Sequence, residues 1–276
     1  MELFYRDWIV DDARGTVLLI HGTAEHSGRY EHVAEYLIGR GYNVVSGDLP
    51  GWGRSPGLKG HIESFQEYLD AVEAWISLAL TKLPSHLPLF VLGHSLGGLV
   101  ATRFVQEYKN KERLAGLVLS SPCLALKVEV PAWKAGLADA LDKIWPKLRM
   151  GNDIAPYQVT RDPVMQVKYQ NDPLNYKKVS VRWFQELQRE MKNAAVNSQK
   201  INLPTLVLQA GSDCLIDPQK VENFVWRLPS TDKTFISFPG LYHEVFNEPE
   251  RQEVLEQLGT WLDNHVSTKH GLHNEM

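Results

Sequence analysis

Apolar residues in the first half of the chain fall alternately into short continuous runs and into helical spacing. Thr16 to Ile20 (TVLLI) reads as a buried strand ending at His21-Gly22. From Tyr30 to Gly39, Val33, Tyr36 and Leu37 recur at helical intervals, with Gly41 as the stop signal. Asn43 to Ser46 is a second short strand, running into the turn-rich Gly47-Asp48-Leu49-Pro50-Gly51-Trp52-Gly53. Ser64 to Leu80 carries the longest amphipathic pattern, and Ser64 with Glu67 has capping-box form. A strand at Leu89 to Leu92, a sharp turn, a helix from Leu96 to Tyr108 and a strand at Leu114 to Ser120 follow. Continuous apolar strands separated by helices predict an α/β fold, with a mostly parallel central sheet covered by helices on both faces.

The alternation then stops. From Leu124 to Gln199 the pattern is helical, broken by Pro131, Pro146, Pro156, Pro163 and Pro173, with no strand expected. Strands resume at Thr205 to Gln209 and Thr234 to Phe238, and a closing helix spans Glu250 to His265. Expected, then, are a core at 1–123, an inserted helical cap or lid at 124–199, a second part of the core at 200–266 and a polar tail at 267–276.

The 276 residues are 43% hydrophobic and 22% charged, which is ordinary for a globular protein with one sizeable core. A net charge of −4 without a basic stripe argues against a nucleic-acid partner. The opening MELFYRDWIVDD lacks secretory-signal form, and no run approaches the ~18 apolar residues of a membrane span. Cys123 and Cys214 are too few for a disulfide framework, so a cytoplasmic location is expected, with peripheral contact at a membrane. No H-E-x-x-H or Cys/His pairing suggests a metal, and no cofactor is expected.

The chemistry begins at Gly93-His94-Ser95-Leu96-Gly97, a G-x-S-x-G between an apolar strand and an amphipathic helix. Glycine two positions either side of the serine lets strand and helix approach, so the turn presents the Ser95 hydroxyl as a nucleophile. A serine needs a base, usually a histidine oriented by a carboxylate, and strand ends are where such groups gather. After Thr205–Gln209 come Asp213 and Asp217; Asp213 is favoured, because Asp217-Pro218 has the form of a helix start. After Thr234–Phe238 comes His243, the one histidine of that loop. A tetrahedral oxyanion needs two N–H donors, expected from Leu96 and from Thr23 in the His21-Gly22-Thr23-Ala24 loop. His21 and His94 flank these turns and are expected to brace them by hydrogen bonds.

At these residues the chain resembles the monoacylglycerol lipases and lysophospholipases of bacterial type, within the α/β-hydrolases. His21-Gly22-Thr23-Ala24-Glu25-His26-Ser27-Gly28-Arg29-Tyr30 is similar to their H-G-x-x-E-H-S-x-R-Y stretch, and Asp48 to Ser55 to their D-x-x-G-x-G-x-S loop. The resemblance spans Thr16 to Leu262 and is weakest at 124–199. It implies Ser95, Asp213 and His243 as the triad, Thr23 and Leu96 as oxyanion donors, and a lipid ester as substrate, monoacylglycerol foremost. Lysophospholipase or broad carboxylesterase action would use the same triad; a non-catalytic acyl carrier is the alternative of another class. Glu25, His26, Arg29 and Tyr30 either position a glycerol head group or brace the oxyanion loop. In the insertion, Leu124, Leu126, Val128, Trp133, Ile144 and Trp145 are a packing face, with any surplus left for an acyl tunnel or a lipid-docking surface.

Overall fold

The computed structural model describes residues 2–82, 84, 86–127, 132–152 and 154–271. Its sheet strands are β1 (Tyr5–Trp8), β2 (Gly15–Ile20), β3 (Tyr42–Gly47), β4 (Leu89–His94), β5 (Leu114–Ser120), β8 (Thr205–Ala210) and β9 (Lys233–Phe238), with β6 (Arg149–Gly151) and β7 (Lys178–Ser180) lying outside this sheet. The helices between them are α1 (Glu31–Gly39), α2 (Gln66–Lys82), α3 (Leu96–Glu107), α8 (Pro218–Trp226) and α9 (Arg251–Gly271). Every residue of β2, β3, β4, β5 and β8 is buried, which is why those segments read as unbroken apolar runs.

The seven strands lie in the order β1-β3-β2-β4-β5-β8-β9, all neighbours parallel except the antiparallel β1–β3 pair. Strand alternation splits the core in two. Leu18 and Ile20 of β2 join the layer under α2, α3 and α8, while Val17 and Leu19 join that under α1 and α9. The order runs outward from β2 in both directions, to β3 on one side and β4 on the other, so β2 and β4 flank the switch point. Ile20 pairs with Gly93, and the loops leaving the two strands start side by side.

Between β5 and β8 the chain leaves the sheet and builds α4 (Ala132–Ile144), β6 (Arg149–Gly151), α5 (Pro156–Val159), α6 (Pro163–Asn171), β7 (Lys178–Ser180) and α7 (Val181–Val196). The expectation of helices alone here needs correction: β6 and β7 pair antiparallel over three residues each. So short a pairing, with β6 wholly exposed, leaves no alternation to read. Two further differences concern the ends. The edge strand β1 lies in a stretch read only for signal-peptide form, and α9 runs to Gly271, past His265. Helix α7 is the insertion's anchor, sending Trp183, Leu187 and Ala194 into the core layer beneath α2 and α3.

Candidate active site

Ser95 stands between β4 and α3 at φ +50°, ψ −115°, a backbone conformation that L-residues rarely adopt. Its neighbours explain how the turn survives. A methyl group on Gly93 would run into the Gly97 carbonyl, and one on Gly97 into the carbonyls of Ile20 and His21. A methyl on Gly98 would lie 2.7 Å from Pro122 Cβ. The strained residue is pinned from both sides: Ser95 N–H donates to Ser120 O at 3.0 Å, and Ser95 O accepts from Cys123 N at 2.8 Å. Leu96 is the first residue of α3, so its N–H belongs to the unsatisfied end of that helix.

Asp213 and His243 arrive from β8 and β9. The two loops are stitched by Gly211 N–H to Phe238 O at 2.9 Å and Ser212 N–H to Leu241 O at 3.0 Å. His243 Nδ1–H donates to Asp213 Oδ2 at 2.8 Å, and Asp213 Oδ1 accepts from Leu215 N at 2.9 Å and Ile216 N at 3.0 Å. Burial opposes the Asp213 charge, yet His243 and these donors hold the carboxyl below the ordinary range. Burial likewise opposes a charge on His243, but Asp213, with Glu244 and Glu25 behind it, lifts the imidazole above its ordinary value. Asp217 does something else: it caps α8, accepting from Gln219 N at 3.1 Å and Lys220 N at 3.2 Å. Ser95, His243, Gly22, Thr23 and His94 all line one cavity of about 550 Å³.

The loop after β2 is braced from below. Leu49 N–H donates to His21 Nε2 at 2.8 Å, which puts the ring proton on Nδ1, facing Gly22 O at 2.8 Å. Burial keeps His21 below its ordinary pKa and presses His94 down to about 3, so both rings are neutral. His94 Nδ1 lies 3.1 Å from Ser120 Oγ. Glu25 Oε1 accepts from Gly22 N at 2.5 Å and Tyr30 OH at 2.6 Å; its other oxygen accepts from Arg29 Nε at 2.9 Å. Arg29 also donates to Glu244, and its guanidinium lies 4.8 Å from the centre of the Tyr169 ring. Against strong desolvation, the two carboxylates raise the arginine further, and Arg29 helps hold Glu25 below its ordinary value. Glu244 is pushed up by burial and by Glu25, with Arg29 pulling the other way.

A family model described as "Serine aminopeptidase, S33" matches residues 11–250. The chain belongs to this hydrolase family. Phospholipase YtpA of Bacillus subtilis is 40% identical over 260 residues, covering 94% of this chain and 99% of its own. A monoacylglycerol lipase of Mycolicibacterium smegmatis is 32% identical over 268 residues, covering 96% and 94%. Among solved structures, the Paleococcus ferrophilus monoacylglycerol lipase matches with a TM-score of 0.87 at 33% identity, covering 96% of this chain and 100% of that one. The fold is thus the α/β-hydrolase fold, and the chain is a hydrolase of its carboxylic-ester branch.

Within this family member, Glu25 lines the cavity, whereas His26 and Arg29 do not. His26 Nε2–H donates to Asp172 Oδ2 at 2.8 Å and its Nδ1 accepts from Gly28 N at 3.1 Å, so the ring ties the β2 loop to the end of α6. The Asp48 to Ser55 loop is also internally occupied: Asp48 accepts from Ser27 N and Arg54 N, both at 2.8 Å. Val128 and the Trp133 side chain lie outside the described residues. Of the other apolar residues singled out in the insertion, Leu126 lines the cavity, but Ile144 and Trp145 are 66% and 63% exposed. Val159, Val179, Trp183, Phe184 and Leu187 supply the apolar wall instead. Several polar wall residues escaped the sequence reading, among them Asn152, Gln158, Tyr169, Ser180 and Glu244. Glu244 adjoins His243, an available signal; Tyr169 reaches the cavity from α6, which no local pattern announces.

Proposed function

We propose that this chain cleaves carboxylic esters of lipids, monoacylglycerol before others, through Ser95, His243 and Asp213. The observation that carries the reading is the buried 2.8 Å bond from His243 Nδ1–H to Asp213, which leaves Nε2 unprotonated on a ring sharing one cavity with Ser95. His243 takes the Ser95 proton as the hydroxyl attacks the ester carbonyl, and Asp213 stabilises the imidazolium that forms. The N–H groups of Leu96 and Thr23 receive the oxyanion. Collapse expels the alcohol, protonated by His243, and water then releases the acid from Ser95 by the same steps reversed. Residues 124–199 act as the cap, and their apolar wall takes the acyl chain, each buried methylene contributing about 0.8 kcal/mol. Glu25, His26 and Arg29 act as braces of the oxyanion loop, since their polar atoms are committed to protein partners.

Two relatives named monoacylglycerol lipase, one of them a solved structure, support the neutral-lipid reading. The relative named phospholipase, matched over 99% of its length, favours lysophospholipase action at the same site as a second reading. The exposed apolar residues at the end of α4 suit transient contact with a membrane surface. Fluorophosphonate labelling followed by peptide mapping tests the mechanism: the adduct is expected on Ser95 and absent from Ser95→Ala, which should fold normally and lose all turnover. Labelling elsewhere, or full activity in that variant, overturns the assignment. An acyl-ligand carrier would give no adduct at all.

A further inference from the structure

The cavity has two chemically different ends. Most of its wall is aliphatic or aromatic, with Asn152, Gln158 and Ser180 as polar members from the insertion, while the loops that carry Ser95 and His243 and the loop after β2 add Glu25, Glu244 and His94. An ester held at Ser95 with its acyl chain in the apolar part must place its alcohol portion at this polar end. There the charges are lopsided. Among the described residues no lysine or arginine lines the cavity, and the nearby guanidinium, Arg29, is held between Glu25 and Glu244. Two carboxylates therefore share one cation. Asp213 adds another negative charge whenever His243 is neutral, as a base must be, and His94 supplies no positive one. Glu25 is also close to the chemistry, since a methyl group placed on Gly22 would lie 2.7 Å from Glu25 Oε1 and 3.2 Å from Ser95 Cβ, and Glu244 adjoins His243 in the chain.

We propose that Glu244, paired with Glu25 across Arg29, sets the head-group specificity of the site by rejecting alcohol portions that carry a net negative charge. This inference rests on the lipid-ester reading above and narrows it. An uncharged glycerol can hydrogen-bond to Glu244, which lines the cavity and has only its Oε2 engaged by Arg29 and Asn247. A phosphomonoester in the same place would meet two carboxylates in a poorly screened cavity and find no cation to neutralise it. Arg29 cannot do so without giving up one of its own buried carboxylates.

The test compares 1-acylglycerol with 1-acylglycerol 3-phosphate of the same acyl chain, which differ by the phosphate alone. For the wild type, kcat/KM is expected to favour the uncharged ester by roughly tenfold or more, on the scale of charge repulsion across a partly buried site. Glu244→Gln keeps the shape and removes the charge, and should narrow that ratio severalfold. A wild-type ratio near one overturns the proposal. So does a ratio unmoved in a Glu244→Gln protein that still cleaves a p-nitrophenyl ester. If that variant does not fold, the uncleavable ether analogues of the two lipids serve as competitive inhibitors of p-nitrophenyl ester hydrolysis by the wild type. The neutral ether should bind the more tightly, and equal inhibition constants overturn the proposal. Failure of the parent reading looks different, because then no ester is cleaved and Ser95 is not labelled.

Discussion

Gly97 carries as tight a steric demand as Gly93 at the Ser95 turn, since a Cβ there meets backbone carbonyls of β2 and its loop, which cannot rotate away. Gly97→Ala is expected to cost about 3 kcal/mol by forcing backbone shifts, read as a lower urea midpoint with an unchanged slope. An unaffected midpoint would mean the turn relaxes more easily than its packing implies. The proposed base offers a second test at this scale. His243 must be neutral to accept a proton, and its pKa is raised above 6.5, so kcat/KM should fall as pH drops through a value above 6.5. Asp213→Asn removes the main charge that lifts the imidazole. That variant's acidic limb should move to lower pH, and its kcat should fall about 10⁴-fold. Ser95, Asp213 and His243 could be picked out as candidates because each sits in a turn after a strand, and short-range pattern identifies such turns. The meeting of Arg29 with Glu244 was not, because it spans 215 positions and exists only once β2 and β9 deliver their loops to one cavity.

At the scale of elements, the sheet strands buried on both faces were readable from their apolar runs, and the short or half-exposed ones were not. In β1 exposed and half-buried residues alternate over only four positions; β9, also only partly covered, is the exception, read at Thr234 to Phe238. The contact that holds the insertion to the sheet is also silent in sequence. Arg103 of α3 donates to Glu190 of α7 at 2.7 Å, with both side chains more than nine-tenths buried. It clamps the helix that follows Ser95 to the helix that carries Trp183 and Leu187 into the cavity wall. Arg103→Met is expected to lose about 3 kcal/mol, because it leaves the buried Glu190 Oε2 without its partner while Arg189 and Asn193 hold only Oε1, and Arg103→Met with Glu190→Met should recover most of it. Urea unfolding of the two single variants and the double gives the coupling. Simple additivity would show that the pair does not join the helices energetically.

For the whole molecule, the question is how the proposed lipid esterase would meet a substrate held in a lipid surface. Among the described residues no helix is long and apolar enough to cross a membrane. The end of α4 and the start of β6 instead expose Ile144, Trp145, Leu148 and Met150, interleaved with Lys143, Lys147 and Arg149. Met150 also lines the cavity, so this patch borders the way in. The sequence reading placed Ile144 and Trp145 on a helix face without saying which way it turned, since periodicity defines a face but not what covers it. Apolar side chains alternating with cations suit an anionic bilayer, where tryptophan seats at the interface and each nearby cation adds about 1 kcal/mol. Trp145→Asp removes a large apolar group and places a negative charge against the lipid. It is expected to weaken binding to vesicles containing anionic phospholipid by about tenfold or more. Hydrolysis of a short soluble ester should be unchanged, because Trp145 is not among the cavity-lining residues. Raising the salt should weaken wild-type binding without abolishing it, leaving the apolar part. Unchanged vesicle binding in Trp145→Asp would place the docking face elsewhere; parallel losses on vesicles and on soluble ester would mean that the substitution damages the cap itself.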